Sequence, residues 1–187
     1  MKINIDEYEY FYLTCEGTNE VEVLNWIIDE NRFNIPENLY SRDFLRSLRS
    51  KKNRECFLDK EVFSLSFNKK VAIIYIHDSS KENWNVSKRH QEFMKIRNVE
   101  VINVITHPEI EVLAIINNNS WYSKWNKGTK VKPSVFLKDK VNLNFKQASN
   151  FIELFDNNFE NFVEACKKYN RTIKSTKALS ILDLIKV

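Results

Sequence analysis

Acidic residues follow three separate apolar runs in this chain. Phe11-Tyr12-Leu13-Thr14-Cys15 leads into Glu16-Gly17-Thr18-Asn19-Glu20. Val71-Ala72-Ile73-Ile74-Tyr75-Ile76 stops at His77-Asp78-Ser79-Ser80, and Val99 to Ile105 stops at Thr106-His107-Pro108, with Glu109 and Glu111 just beyond. An unbroken apolar run is the pattern of a parallel strand covered on both faces. Open α/β folds place their chemistry where such strands end, along the carboxyl edge of the sheet. Parallel strands would therefore bring Glu16, Asp78, Glu109 and Glu111 to one edge. Carboxylates gathered there repel one another, and a divalent cation compensates. Hard oxygen donors with open water positions suit Mg²⁺ or Mn²⁺. Such an ion stabilises the charge that develops in phosphoryl transfer and can activate water.

Plainer uses exist for each acid. Asp78 can cap a helix that follows it, and Glu109 can complement a helix dipole. Two features favour the chemical reading: the agreement of three strand ends, and Gly17. The chain has only two glycines in 187 residues, so one placed directly after Glu16 marks a tight turn or a close approach of the backbone.

The elements that must position these acids are legible in part. Tyr8 to Cys15 is aromatic and β-prone. Val21, Leu24, Ile27 and Ile28 recur at helical spacing over 20–31, with Thr18 or Asn19 as the cap. Pro36 ends any helix, 43–49 has the make-up of a short one, and 56–67 mixes both periods. Residues 85–97 read as a polar helix, and Pro108 sits near the first turn of a helix through Ile116. Strand, helix, strand, helix in this order implies a parallel α/β sheet with right-handed crossovers. Beyond Trp121 the strand signal stops, and 133–141, 146–155, 157–169 and 177–186 all read as helices. The expected organisation is an α/β core over 1–120 and a helical extension over 121–187 packed on it.

Composition narrows the class. A formal net charge of +4 permits nucleic-acid binding without requiring it. Cys15, Cys56 and Cys166 show no CxxC spacing, and an odd, sparse count points to free thiols. The first residues lack the apolar stretch of a signal peptide, and no apolar run approaches the roughly 20 residues that cross a bilayer. A cytoplasmic protein without a membrane partner is expected. The chain has no Gly-x-x-x-x-Gly-Lys-Ser/Thr or Gly-x-Gly-x-x-Gly loop to cradle a nucleotide, no zinc-type Cys/His spacing and no Gly-x-Ser-x-Gly elbow.

These motifs together resemble a known family. Glu16-Gly17-Thr18-Asn19-Glu20 looks like the first motif of the Toprim fold, in which a glutamate after the first strand is followed by glycine. Asp78 falls where that fold's Asp-x-Asp motif begins. Thr106-His107-Pro108-Glu109-Ile110-Glu111 is similar to the Asn-Pro-x-x-Glu element of RloB-like Toprim proteins, a group associated with restriction and phage-defence loci. The likeness covers roughly residues 8–118. It implies Mg²⁺-dependent cleavage of nucleic-acid phosphodiesters. Glu16 would be the acid/base or metal-site carboxylate, Asp78 a metal ligand, and Glu20 and Glu111 supporting acids. Nucleic acid is then the implied ligand, and a partner ATPase or a homodimer the implied assembly. The sequence departs from the pattern at the second aspartate of Asp-x-Asp, which is Ser80. A neutral hydroxyl replaces a carboxylate at that metal position, and Glu82 or Glu111 would have to supply the missing charge. A non-catalytic module that binds nucleic acid or a partner ATPase is the alternative this departure supports.

Other residues carry weaker signals. Arg42, Arg46, Arg49, Lys51, Lys52 and Arg54 form the densest basic cluster; Arg42, Arg46 and Arg49 share a face if 41–50 is helical. Such a cluster is either a phosphate track or a solvated face. Trp121, Tyr122 and Trp125, interleaved with Lys124, Lys127, Lys130 and Lys132, either stack bases or pack a helix on the core. The stretch from Lys132-Pro133 through Lys140 is a candidate to bring a lysine near the acids. His107, beside them, is a supporting ligand or proton donor, His77 should point away from Asp78, and His90 is expected to face solvent.

Overall fold

The computed structural model describes residues 3–78, 84–106, 109–126, 131–140, 149–172 and 179–186. Four strands form one parallel sheet: β1 (Tyr8–Cys15), β2 (Arg46–Ser47), β3 (Lys70–His77) and β4 (Val99–Ile105), in the order β2-β1-β3-β4. The central pair β1 and β3 is apolar on both faces because both faces are covered. On one side Phe11, Leu13, Cys15, Ala72, Ile74 and Ile76 pack beneath α1 (Thr18–Asp29), α4 (Val112–Asn117) and α8 (Phe159–Thr172). On the other, Tyr12, Val71, Ile73 and Tyr75 lie against α2 (Lys51–Phe57), the π-turn Leu58–Val62 and α3 (Lys88–Ile96). The result is a three-layer α/β/α arrangement.

This topology decides where a site can form. The chain leaves β1 into α1 on one face and leaves β3 towards α3 on the opposite face. Because β1 and β3 are neighbours, their carboxyl ends flank the topological switch point, where the diverging connections open a crevice. Glu16 ends one of these strands and Asp78 the other.

Beyond β4, α5 (Asn119–Asn126), α6 (Pro133–Lys140), α7 (Ser149–Glu153) and α8 continue the first layer. Phe159, Phe162, Val163 and Cys166 recur at helical spacing on α8 and are buried. Trp26 of α1 meets the rings of Phe155, Phe159 and Phe162 at centroid distances of 5.2–6.1 Å. The C-terminal helices thus share one hydrophobic core with the sheet. Among the described residues no helix is long and apolar enough to cross a membrane.

The structure corrects several local expectations. Residues 41–50 are not helical: a 3-10 turn at Arg42–Phe44 leads into β2. The Leu48 N–H donates to the Cys15 carbonyl at 2.7 Å and the Ser47 hydroxyl to the Glu16 carbonyl at 2.6 Å, so pairing with β1 prevails over local helix propensity. Arg42, Arg46 and Arg49 therefore share no helix face. The first helix starts at Thr18 with Gly17 as its N-cap and no side-chain cap bond, so neither Thr18 nor Asn19 plays that part. Residues 56–62 continue α2 into its π-turn, and 63–67 follow as a turn and irregular chain. Of the 177–186 segment the described part is 179–186, and within it only Ile181–Leu184 is helical, a 3-10 turn opened by the Ser180–Asp183 capping box. Leu179 and Ile185 on either side pair as single bridges with Val104 and Phe33. The pre-β4 helix, residues 85–97 in the sequence reading, runs from Lys88 to Ile96. Asn98 follows it at φ 53°, a left-handed position that asparagine tolerates in a chain so short of glycine.

Candidate active site

Glu16, Glu20, Asp78, Glu109 and Glu111 line one cleft of about 330 Å³, together with Gly17, Thr18, Asn19, Arg49 and Ser134. Three separate stretches of chain supply these acids. The Glu16 N–H continues the sheet ladder by donating to the Ile76 carbonyl at 2.8 Å. In turn the Asp78 N–H donates to Glu16 Oε2 at 3.3 Å. The ends of β1 and β3 are thereby tied together through one of the carboxylates. On the far side, the Thr106 N–H donates to the His77 carbonyl at 2.9 Å and keeps the exit of β4 in register.

Gly17 is explained by space, not by backbone conformation. Its φ of −117° and ψ of 177° are open to any residue. A Cβ there would collide with Glu20 Oε2 and would lie 3.7 Å from Arg49 Nη2. Glycine thus lets a carboxylate and a guanidinium close over the turn after β1.

Glu20 is 7 % exposed and receives no hydrogen bond or ion pair from another described side chain. Burial, followed by the charges of Glu111, Asp78 and Glu16, pushes its carboxyl up to about 7. Glu111 is raised for the same first reason, with Glu109 and Asp78 adding to burial. Against that rise, Asn19 Nδ2 donates to Glu111 Oε1 at 3.0 Å. Glu109 is differently employed. Its Oε2 accepts the Ser134 N–H at 3.0 Å, and Lys132 Nζ lies 3.7 Å from its Oε1, so it anchors the first turn of α6 to the site. The next described helix after Asp78 is capped by Ser87, so the simple capping role open to Asp78 in sequence is not realised there.

The donor set is all hard oxygen, the chemistry of Mg²⁺ or Mn²⁺. Among the described residues no group of three or more His, Cys, Asp or Glu side chains is set to hold a metal ion. Mg²⁺ does not need such a cage, because it keeps several waters and binds through one or two carboxylates plus substrate phosphates. Glu16 and Asp78, joined across the switch point, fit that role.

The remaining expected residues divide sharply. Ser80, Glu82, His107, Pro108, Lys127 and Lys130 lie outside the described residues. In the basic cluster, Arg42 is ion-paired with Asp29, Arg46 lies 3.6 Å from Glu61, and Lys51 lies 3.8 Å from Glu55. Only Arg49 of this cluster lines the cleft. Arg54 is buried, not part of a surface track. Trp121, Tyr122 and Trp125 are partly buried against the core, which supports the packing reading over base stacking. His77 is buried and stacks on Tyr75 at 4.9 Å, on the sheet face opposite to Ile76. His90 is not a solvent-facing residue: it stacks on Phe63 and lies within hydrogen-bonding distance of Ser87 Oγ (2.7 Å) and Asp59 Oδ1 (3.2 Å).

Asn19 and Ser134, which bond to Glu111 and Glu109, and Arg54, which bonds to the Leu48 and Arg49 carbonyls, have roles that sequence reasoning did not place. Asn19 sits inside the Glu16–Glu20 motif, which could have flagged it. Nothing local separates Arg54 from its basic neighbours or Ser134 from any other serine. Comparison of the chain with protein-family models, curated proteins and solved structures finds no match.

Proposed function

We propose that this protein is a Mg²⁺- or Mn²⁺-dependent nuclease of the Toprim, RloB-like type that cleaves nucleic-acid phosphodiesters, with a role in antiphage defence. The observation that carries the catalytic part is the convergence of Glu16, Glu20, Asp78 and Glu111 from three chain segments on the crevice between β1 and β3. The motif order Glu-Gly, Asp, Pro-x-x-Glu adds the family likeness, and the defence role rests on that likeness alone.

In this reading Glu16 and Asp78 hold the cation, with Ser80 completing the motif and Glu20, Glu109 and Glu111 supporting. When bound, the cation supplies charge stabilisation to the phosphoryl group and lowers the pKa of attacking water. The chain does the rest. The Asp78 N–H orients the Glu16 carboxylate, and Asn19 orients Glu111. Glu20, with its carboxyl near neutrality, can keep or release a proton in the working pH range, which suits a general acid or base.

A second reading has an observation of its own. Ser80 stands where the Asp-x-Asp motif has its second aspartate, and this loss of a carboxylate supports a non-catalytic Toprim-like module that binds nucleic acid or a partner ATPase. Calorimetric titration with Mg²⁺ and Mn²⁺, paired with cleavage assays on single- and double-stranded DNA and RNA, separates the two. The nuclease reading expects metal binding and cleavage, both lost in Asp78→Asn and Glu16→Gln, with cleavage falling by about a hundredfold or more. Metal-independent cleavage, or no metal response at all, defeats it.

A further inference from the structure

We propose that Arg49 is the phosphate-holding cation of the acidic cleft and that buried Arg54 is the residue that positions it. The inference rests on the nuclease reading and names the group that would receive the substrate's phosphodiester.

The chain leading to Arg49 is fixed to the catalytic strand. Thr14 pairs with Arg46 and Cys15 with Ser47. Leu48 and Ser47 then bond to the carbonyls of Cys15 and Glu16. Arg49 therefore emerges beside Glu16 and Gly17, with its guanidinium over the space that the missing Gly17 side chain leaves.

Immediately afterwards the chain turns into α2, where Ser50 accepts the Asn53 N–H. Arg54 reaches back from that helix. Its Nη1 donates to the carbonyls of Leu48 and Arg49 at 3.2 and 3.3 Å, and to the Tyr75 hydroxyl at 3.3 Å. Its Nε donates to the Asn85 carbonyl at 3.2 Å, and the guanidinium stands 5.9 Å from the ring centroids of Tyr75 and Trp84. Arg54 is 8 % exposed and has no carboxylate partner among the described residues. Burying a guanidinium this way is costly. What the arrangement secures is the path of the Leu48–Arg49 backbone between the sheet and α2.

Arg49 itself is left unengaged. Arg42, Arg46, Lys51 and Lys132 each lie within ion-pair distance of an acid, whereas Arg49 forms no ion pair among the described residues. Lys52 also forms no ion pair among the described residues but does not line the cleft. An exposed arginine that lines a nest of carboxylates, with its backbone fixed and no ion pair to them among the described residues, keeps its planar fork of donors for an incoming anion. That fork matches two oxygens of a phosphate. A cation held by Glu16 and Asp78 would offset the repulsion that the carboxylates alone would exert on such a ligand.

The test uses the full chain and the variants Arg49→Ala, Arg49→Lys, Arg54→Lys and Arg49→Ala/Arg54→Lys. Binding of fluorescent single-stranded DNA and RNA oligonucleotides is measured across a salt series with and without Ca²⁺, and Mg²⁺ binding by calorimetry. Arg49→Ala should weaken oligonucleotide binding about tenfold or more, the scale of a charged hydrogen bond. It should also lower the slope of log affinity against log salt by about 1, and leave Mg²⁺ affinity unchanged or tighter. Arg49→Lys should fall between, since it keeps charge and loses the fork. Arg54→Lys should weaken binding alone but add nothing in the Arg49→Ala background. Unchanged oligonucleotide affinity and salt slope in Arg49→Ala overturns the clamp, and full additivity of the two losses overturns the positioning role. If Arg54→Lys does not fold, Tyr75→Phe replaces it: a fall that vanishes with Arg49→Ala supports positioning, and no fall overturns it. A silent Arg49→Ala alongside intact Mg²⁺-dependent cleavage sinks this proposal and leaves the nuclease standing. Arg49-dependent oligonucleotide binding without any metal response does the reverse.

Discussion

Two acidic clusters flank this sheet, and they treat the same residue type in opposite ways. Beside α2 and α3, Glu55 accepts the Ser87 N–H at 2.7 Å and lies within 4 Å of Lys51 and His90. The Ser87 N–H first, then Lys51 and His90, hold its carboxyl below the usual range. At the switch point, Glu20 and Glu111 are buried among other carboxylates and both are raised. The first cluster is complete within the chain, each charge meeting a donor or an opposite charge. In the second, Glu20 receives no bond from another described side chain, and like charges surround it. Buried carboxylates whose pKa is raised at a crevice are the pattern that clusters at functional sites, whereas Glu55 is settled by its donors on a helix surface.

Substitutions that remove the contrast should change stability in opposite directions. Glu20 shows the largest effect. Its folded-state pKa lies above the unfolded value, so the native state binds the proton more tightly between about pH 4.5 and 7. The stability it contributes is full below that window and is lost as pH rises to about 7. Glu20→Gln should therefore stabilise the protein at pH 8 by an amount on the order of 3 kcal/mol, and by little at pH 4.5. Urea unfolding at the two pH values checks this, and an equal shift at both would contradict it.

Gly17→Ala comes next. The backbone accepts alanine, so the collision with Glu20 Oε2 should displace the carboxylate and leave the fold. On the proposed nuclease activity, cleavage should fall about tenfold or more, as small misplacements at a reacting centre do, while the unfolding midpoint moves little. A midpoint collapse would show instead that the turn, not the carboxylate, gives way.

Glu55→Gln should have the smallest effect, of opposite sign to Glu20→Gln. Its lowered pKa contributes stability above the unfolded value that is lost as pH falls through the folded one. A slight fall in Tm at pH 7, absent in strong acid, is expected in thermal melts. A rise at pH 7 would place Glu55 with the uncompensated acids.

How much of this was legible in sequence varies with the range of the forces involved. β1, β3 and β4 stand out because central parallel strands must be apolar on both faces, and the helix after β1 because one face must be. β2 left no trace. It is two residues long and exists only because Arg46 and Ser47 lie against Thr14 and Cys15. The 3-10 turn at Ile181–Leu184 was hidden for a related reason, since the bridges at Leu179 and Ile185 depend on partners far away in the chain. Of the site, Glu16, Asp78, Glu109 and Glu111 could be named from the pattern of acids after apolar runs, Gly17 from the chain's shortage of glycine, and Glu20 only through the family likeness. The different employments of Glu109 and Glu111 could not.

Residue order alone thus determined the parallel α/β class and the acids delivered to strand ends, because burial periodicity is a local property written along the chain. Only the tertiary structure decided that Glu16 and Asp78 meet at a switch point, that Gly17 clears room for Glu20 and Arg49, and that Arg54 turns inward while Arg42 and Arg46 pair on the surface. Those outcomes depend on contacts between separate elements, as far apart in sequence as Glu16 and Asp78, and on a shared electrostatic environment that no single segment contains.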